Sequence, residues 1–167
     1  KKVLVVGDVI IDEYIYCNVQ GLMSKDMGYS TRYKRAEEYL GGSLAVARHL
    51  ASFSDEVTLM SVVGDEELIH SKMLNEMGDK MRLDLIYSPE YATIVKRRYV
   101  SLNEKREEVN KIFAINNLPE PMIIDQKSLQ QFQQHLEEKI EKYDIVVLCD
   151  FGHGLITKEI METLQEK

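Results

Sequence analysis

An apolar run near the start of the chain ends in two acidic residues, Val3-Leu-Val-Val-Gly7-Asp8-Val-Ile-Ile-Asp12. Farther along, a glycine pair opens a helix-like segment, Leu40-Gly41-Gly42-Ser-Leu-Ala-Val-Ala-Arg-His-Leu50. A carboxylate at a strand tip facing a helix N-terminus suits a polyhydroxylated ligand, with or without a phosphate. Asp12 has lone pairs for two hydroxyl hydrogen bonds, and Gly41 and Gly42 let backbone N–H groups approach closely. A second strand tip, Ile145-Val-Val-Leu-Cys-Asp150-Phe-Gly152-His-Gly154, repeats the chemistry with Asp150. The basic run Lys96-Arg97-Arg98 lies in an alternating segment, so Lys96 and Arg98 share one face of a strand. On sequence alone that run reads as a solvated face. His153, between two glycines, reads as a bystander, and Gly64-Asp65 as a structural turn.

The bulk properties narrow the choice. The chain has 167 residues, 44% of them hydrophobic and 29% charged, which allows one domain with a substantial core. A net charge of −7 argues against nucleic acid as the main partner. No apolar run reaches the ~18 residues of a membrane span and no signal peptide is visible, so the expected partners include neither a nucleic acid nor a membrane. Cys17 and Cys149 make neither a zinc pattern nor a disulfide framework, and a reduced, cytoplasmic setting is expected.

These residues need a scaffold. Residues 3–6, 57–63 and 145–149 read as buried parallel strands, and 82–87 as a further strand broken by Pro89. Helices are expected over 42–53, over 66–77 with Gly78 as a C-terminal cap, over 128–143 with a Leu129/Phe132/Leu136/Ile140 stripe, and from Lys158 after a Thr157 cap. Residues 13–18 and 32–39 read as more exposed strands, and 93–100 and 108–115 as a hairpin around the charged turn 103–106. The expected organisation is an α/β body (1–12, 40–88, 116–167) with a small antiparallel β lid (13–39 and 93–115). Asp150-Phe-Gly152 is not a protein-kinase signature here, because the glycine loop and His-Arg-Asp loop are missing. Gly7 lacks the further glycines of a dinucleotide site.

In order and spacing, Gly7-Asp-Val-Ile-Ile-Asp12-Glu-Tyr14, Gly41-Gly42-Ser-Leu-Ala-Val-Ala, Val63-Gly64-Asp65-Glu66 and Asp150-Phe-Gly-His-Gly-Leu155 resemble the ribokinase-like (PfkB) carbohydrate kinase family. Within it the resemblance is to the heptose-phosphate-kinase-like branch often fused to a nucleotidyltransferase. The resemblance implies a layered, mostly parallel sheet flanked by helices under a β lid. It also implies transfer of the ATP γ-phosphate to a sugar hydroxyl with Mg2+. By the same resemblance Asp12 grips sugar hydroxyls, and Gly41 and Gly42 shape the pocket wall. Lys96 and Arg98 contact an anionic group, Asp150 lies near the pocket, and the lid serves for homodimerisation.

Two departures shape the expectation. Ala45 stands where the family commonly has asparagine, and the family's Gly-Ala-Gly-Asp catalytic loop is found nowhere in these residues. The chain is therefore expected to be the truncated, substrate-binding half of a sugar or sugar-phosphate kinase. It should hold no catalytic residue of its own, turn over no substrate alone, and bind neither ATP nor metal tightly. The alternative is a non-catalytic ligand-binding or dimerisation module. If no strand follows residues 145–149, the exposed sheet edge should promote self-association.

Overall fold

In the computed structural model, residues 1–75, 77–103, 108–119 and 123–166 are described, and the chain divides into two compact units. The first comprises Lys1–Ile10, Leu40–Ile94 and Leu118–Lys167; the second comprises Ile11–Tyr39 and Val95–Asn117. The turn expected at 103–106 falls almost wholly outside the described residues.

The first unit is built on a parallel sheet. Its strands are β1 (Lys2–Gly7), β4 (Glu56–Val63), β5 (Met81–Tyr87) and β8 (Ile145–Cys149), in the order β5-β4-β1-β8. Val5 of β1 pairs with Leu59 on one side and Val147 on the other. Three helices pack on or near this sheet: α1 (Ser43–Ala51), α3 (Gln126–Lys139) and α4 (Lys158–Glu166); α2 (Glu67–Asn75) follows β4. β1 is an unbroken apolar run from Val3 to Val6, and β4 is apolar apart from the buried Thr58 and Ser61, because both faces of each strand are covered. Leu4, Val6, Met60 and Val62 cluster with Phe132, Leu136 and Ile140 at the α3 layer. The intervening Val3, Val5, Val57 and Leu59 are equally buried and face the other way, where α1 packs with Leu44 and Ala47 buried.

Two helix starts show how side chains fix the layer. Thr157 accepts the Ile160 N–H at 3.4 Å through its hydroxyl, placing the cap of α4 where the sequence put it. Asp125 caps α3, accepting the Ser128 N–H at 2.9 Å, and also accepts the Ser88 hydroxyl at 2.5 Å. One carboxylate thus anchors the helix to the loop after β5. Helix α2 is shorter than expected, ending at Asn75.

The second unit is a four-stranded sheet, β3-β2-β6-β7, made from β2 (Val9–Leu22), β3 (Tyr29–Gly42), β6 (Ile94–Asn103) and β7 (Glu108–Asn117). β6 and β7 are antiparallel, pairing Arg98 with Ala114, and the register shifts at Tyr99/Val100. β2 begins at Val9, four residues earlier than the exposed strand read from sequence. Residues 9–11 are apolar, so their strand character was hidden in the preceding apolar run.

Asp125 yields a pH test. The Ser128 and Ser88 hydrogen bonds hold its carboxyl down at about 2, well below the usual carboxylate range. A depressed acid stabilises the fold above its unfolded-state pKa, and that contribution is lost as pH falls towards about 2. Asp125→Ala should therefore cost about 1 kcal/mol near neutrality. Denaturant titrations from neutral to acid pH should show the deficit shrinking below the ordinary aspartate range.

Candidate functional site

The residues that join the tips of the first unit are Asp8, Ser43 and Phe151. The Asp8 carbonyl accepts the Ser43 N–H at 3.0 Å and the Ser43 hydroxyl at 2.8 Å. The Ser43 hydroxyl also lies 3.1 Å from the Gly7 carbonyl. The Asp8 side chain accepts the Phe151 N–H at 3.1 Å through Oδ2. A single buried residue therefore binds the end of β1 to the start of α1 and to the loop after β8.

This junction explains the glycines. Gly42 is the N-cap of α1 with φ 58°, and a Cβ there would lie 2.5 Å from the Asp8 carbonyl oxygen. A Cβ on Gly7 would lie 2.2 Å from the Cys149 carbonyl oxygen. Both glycines serve close backbone approach. The N–H of Ser43, at the very start of the helix, is already spent on Asp8 rather than aimed at open space. Beside α1 lies a recess of about 290 Å3 lined by Leu40, Ala45, Arg48 and His49, so Ala45 fronts a cavity.

Asp8 was the residue the sequence reading passed over. It is 2% exposed, and its Oδ1 has no hydrogen-bond partner among the described residues. Burial raises its carboxyl above the ordinary aspartate range, against the opposing pull of the Phe151 amide and nearby His153. In turn, burial and then the charge of Asp8 push up the Tyr91 phenol and the Cys149 thiol. Asp150, by contrast, is exposed, and its carboxylate accepts the Gly152 N–H at 2.8 Å in a tight turn with Gly152 at φ 76°. Gly64 and Glu66 brace the entry to β6: Glu66 accepts the Thr93 N–H at 2.9 Å and the Thr93 hydroxyl at 2.7 Å. The Gly64 N–H donates to the Thr93 hydroxyl at 3.0 Å, so the segment linking β4 to α2 is tied to the start of β6.

In the second unit, Asp12 pairs with Arg98 and Glu13 with Arg97. Neighbouring residues of a strand point to opposite faces, so the two ion pairs lie on opposite faces of one sheet. Of the basic run, Arg97 and Arg98 are thus partnered rather than merely solvated, and the Arg98 guanidinium also lies 3.5 Å from the Lys96 carbonyl. On the Asp12 face stand Tyr14 and Tyr16, joined by Tyr39 of β3. These four residues line a recess of about 330 Å3. Tyr14 and Tyr39 meet edge to face, with centroids 5.8 Å apart at 81°.

Among the proposed contacts, Asp12, Lys96 and Arg98 fall in the second unit, whereas Gly41, Gly42 and Asp150 fall in the first. The signal for the tyrosines was the two-residue period 12, 14, 16. The exposed strand expected from Glu13 leaves Asp12 outside that period, whereas β2 runs from Val9 and includes it. Among the described residues no group of acidic, histidine or cysteine side chains is arranged to hold a metal ion, and no helix is long and apolar enough to cross a membrane. Cys17 and Cys149 are both free.

No family model matches the chain. Individual relatives do. A D-beta-D-heptose 7-phosphate kinase from Bordetella bronchiseptica is 33% identical over 159 residues, which is 94% of this chain and 47% of the relative. The bifunctional protein HldE of Helicobacter pylori is 29% identical, over 98% of this chain and 34% of its own length. The resemblance read from the motifs is matched by these relatives: the chain is similar, over nearly all its length, to the N-terminal half of heptose 7-phosphate kinases. It spans about half the length, or less, of the curated relatives it matches. Two solved sugar kinases share the fold. Phosphofructokinase-2 from Escherichia coli, in complex with fructose-6-phosphate, superimposes with a TM-score of 0.63 at 11% identity. That match covers 99% of this chain and 50% of the other. A carbohydrate kinase from Agrobacterium tumefaciens gives a TM-score of 0.56 at 16% identity, over 89% of this chain and 45% of the other. The α/β sheet with a second antiparallel sheet agrees with the expected fold class.

Asp8 gives the test of the junction. Asp8→Asn keeps an oxygen to accept the Phe151 amide and removes the buried charge. Because burial raises the folded-state pKa, ionised Asp8 weighs against folding above that value, and the penalty fades as pH falls. Urea midpoints should favour Asp8→Asn over the parent near neutrality and converge in acid. A variant weaker at every pH would mean that the amide hydrogen bonds outweigh burial.

Proposed function

We propose that this chain is the substrate-binding half of an ATP-dependent carbohydrate or sugar-phosphate kinase. In that reading Asp12 accepts sugar hydroxyls, Arg98 and Lys96 take an anionic group, and Gly41, Gly42 and Asp150 are further substrate contacts. The observation that carries the proposal is the Asp12–Arg98 pair on the tyrosine-bearing face of the second sheet. A carboxylate and a guanidinium side by side offer both halves of what a sugar phosphate needs, an acceptor for hydroxyls and a fork for phosphate. The kinship with heptose 7-phosphate kinases supports the same substrate class.

Phosphoryl transfer rests on positioning and on electrostatic stabilisation of the transferred group, with Mg2+ neutralising the ATP phosphates. Here Asp12 would orient the sugar and Arg98 would fix its charged end. This reading gives neither residue the role of the base or of the anion hole for a γ-phosphate. The 167-residue chain is accordingly expected to show no sugar-dependent ATP turnover in a coupled assay. Calorimetry should detect weak sugar-phosphate binding and negligible ATP binding. Asp12→Asn should weaken the sugar phosphate at least ten-fold, about 1.4 kcal/mol. Undiminished binding in that variant would overturn the assignment.

The dimer belongs to the same proposal. β7 lies at one end of the second sheet and leaves Val109, Phe113 and Ile115 between 44 and 49% exposed, and Phe113 stacks on Tyr99 at 4.3 Å. A sheet edge carrying apolar side chains invites a second copy. Light scattering should report a dimer, and Phe113→Glu should shift it to monomer. A parent chain that stays monomeric at high concentration would refute the interface.

A further inference from the structure

Beside the Asp12–Arg98 pair, three tyrosines, Arg35 and Glu37 form a network that the roles given above do not use. Glu37 accepts the Arg35 Nε–H at 2.9 Å and the Tyr39 hydroxyl at 2.8 Å. Its carboxyl is held below the usual range by Arg35 first, then by the Tyr39 and Tyr16 hydroxyls. The Arg35 guanidinium sits 3.9 Å over the Tyr16 ring, and the Arg98 guanidinium 5.3 Å from the centre of Tyr14. Residues 12, 14 and 16 alternate along β2, and 35, 37 and 39 alternate along β3. The face is therefore a product of strand period on two neighbouring strands.

Scattered surface tyrosines are ordinary on strands. This cluster differs in three respects. The rings adjoin one another beside a carboxylate. The Tyr39 and Tyr16 hydroxyls are engaged by Glu37, which fixes those side chains before any ligand arrives. They also line a recess of about 330 Å3. That is the lower end of the range for small-molecule sites, roughly 300–1,000 Å3, and suits one small metabolite. Two carboxylates, Asp12 and Glu37, balance two guanidiniums, Arg35 and Arg98, so the recess has no strong net charge. Such a surface selects by shape and by ring contact.

We propose that the perpendicular Tyr14–Tyr39 pair forms an aromatic platform, one of its rings stacking on the C–H face of a polyhydroxylated sugar whose hydroxyl edge is taken by Asp12, while Arg35 covers the Tyr16 ring. The C–H bonds of a sugar are weakly positive and match the negative face of an aromatic ring. A carbohydrate lying on the rings presents its hydroxyls at the edge, where a carboxylate binds them. Tyr14 and Tyr39 are then specificity-determining residues that tell a sugar phosphate from phosphate alone. This inference rests on the carbohydrate reading of Asp12, and it assigns the tyrosines a contact that the Asp12–Arg98 pair does not supply.

The test uses the full 167-residue chain with a heptose 7-phosphate, fructose 6-phosphate and inorganic phosphate as probes. Saturation-transfer NMR, irradiating aromatic protons, should pass signal to the sugar C–H protons of a bound sugar phosphate. Tyr14→Leu and Tyr39→Leu should weaken sugar-phosphate binding ten-fold or more while leaving inorganic phosphate within two-fold. Tyr39→Phe, which keeps the ring, should stay within three-fold of the parent. Leucine variants that bind the sugar phosphate normally, while Asp12→Asn does not, would overturn the platform and leave the carbohydrate reading standing. No sugar-phosphate binding by the parent chain would overturn both. Leucine variants that change the mass in light scattering but not the sugar affinity would reassign the rings to self-association and sink the proposal. The transfer experiment needs no variant, so a leucine variant that fails to fold leaves the question decided by the parent chain.

Discussion

The first unit depends on a backbone carbonyl and a carboxylate belonging to the same residue. Where β1 ends, the chain must leave a buried sheet, and every polar group released there has to find a partner out of reach of water. Asp8 answers with its main chain and side chain at once, giving its carbonyl to Ser43 and its carboxylate to Phe151. The start of α1 and the loop after β8 are thereby set relative to the first strand. The requirement then spreads outward. Because α1 begins against the Asp8 carbonyl, residue 42 can carry no side chain. Because β8 runs close beside β1, neither can residue 7. What sequence comparison would call a glycine motif is here the imprint of a buried acceptor.

The second sheet solves a different problem. It has two faces, and each carries its own acid–base pair two strands wide, Asp12 with Arg98 and Glu13 with Arg97. Half-exposed ion pairs add little to stability, typically under about 1 kcal/mol. Their value here is geometric. Each holds a long side chain against a neighbouring strand and leaves its face ordered, so the tyrosines of one side and the Tyr99–Phe113 stack of the other present defined surfaces.

The scaffold was largely legible in the sequence, and the reasons are local. Residues 3–6 are a continuous apolar run and 57–63 are interrupted only by Thr58 and Ser61, a density of apolar residues that suits doubly covered strands. Phe132, Leu136 and Ile140 recur at helical spacing, and all three are buried. The family likeness was legible because its motifs stand in order. Contacts between distant residues were less visible. Arg98 meets Asp12 only because β6 lies beside β2, and nothing in the chain between these positions, eighty-six apart, announces that. Asp8 looked like one more polar residue after a strand, since burial is a property of everything packed around it. The tyrosine face escaped for a smaller reason: the apolar residues 9–11 concealed where the strand began.

Strict alternation also constrains how this chain can change its length. Removing or adding one residue within 12–16 would exchange the two faces of β2 beyond that point, sending phenols to the side of Glu13 and leaving Asp12 among strangers. The segment between β2 and β3, residues 23–28, bears no such parity, and the Met23 N–H to Gly28 carbonyl hydrogen bond closes it as a loop of its own. Insertions and deletions accumulated during divergence should therefore gather between residues 23 and 28, while the stretch carrying Asp12 and its aromatic neighbours keeps its count.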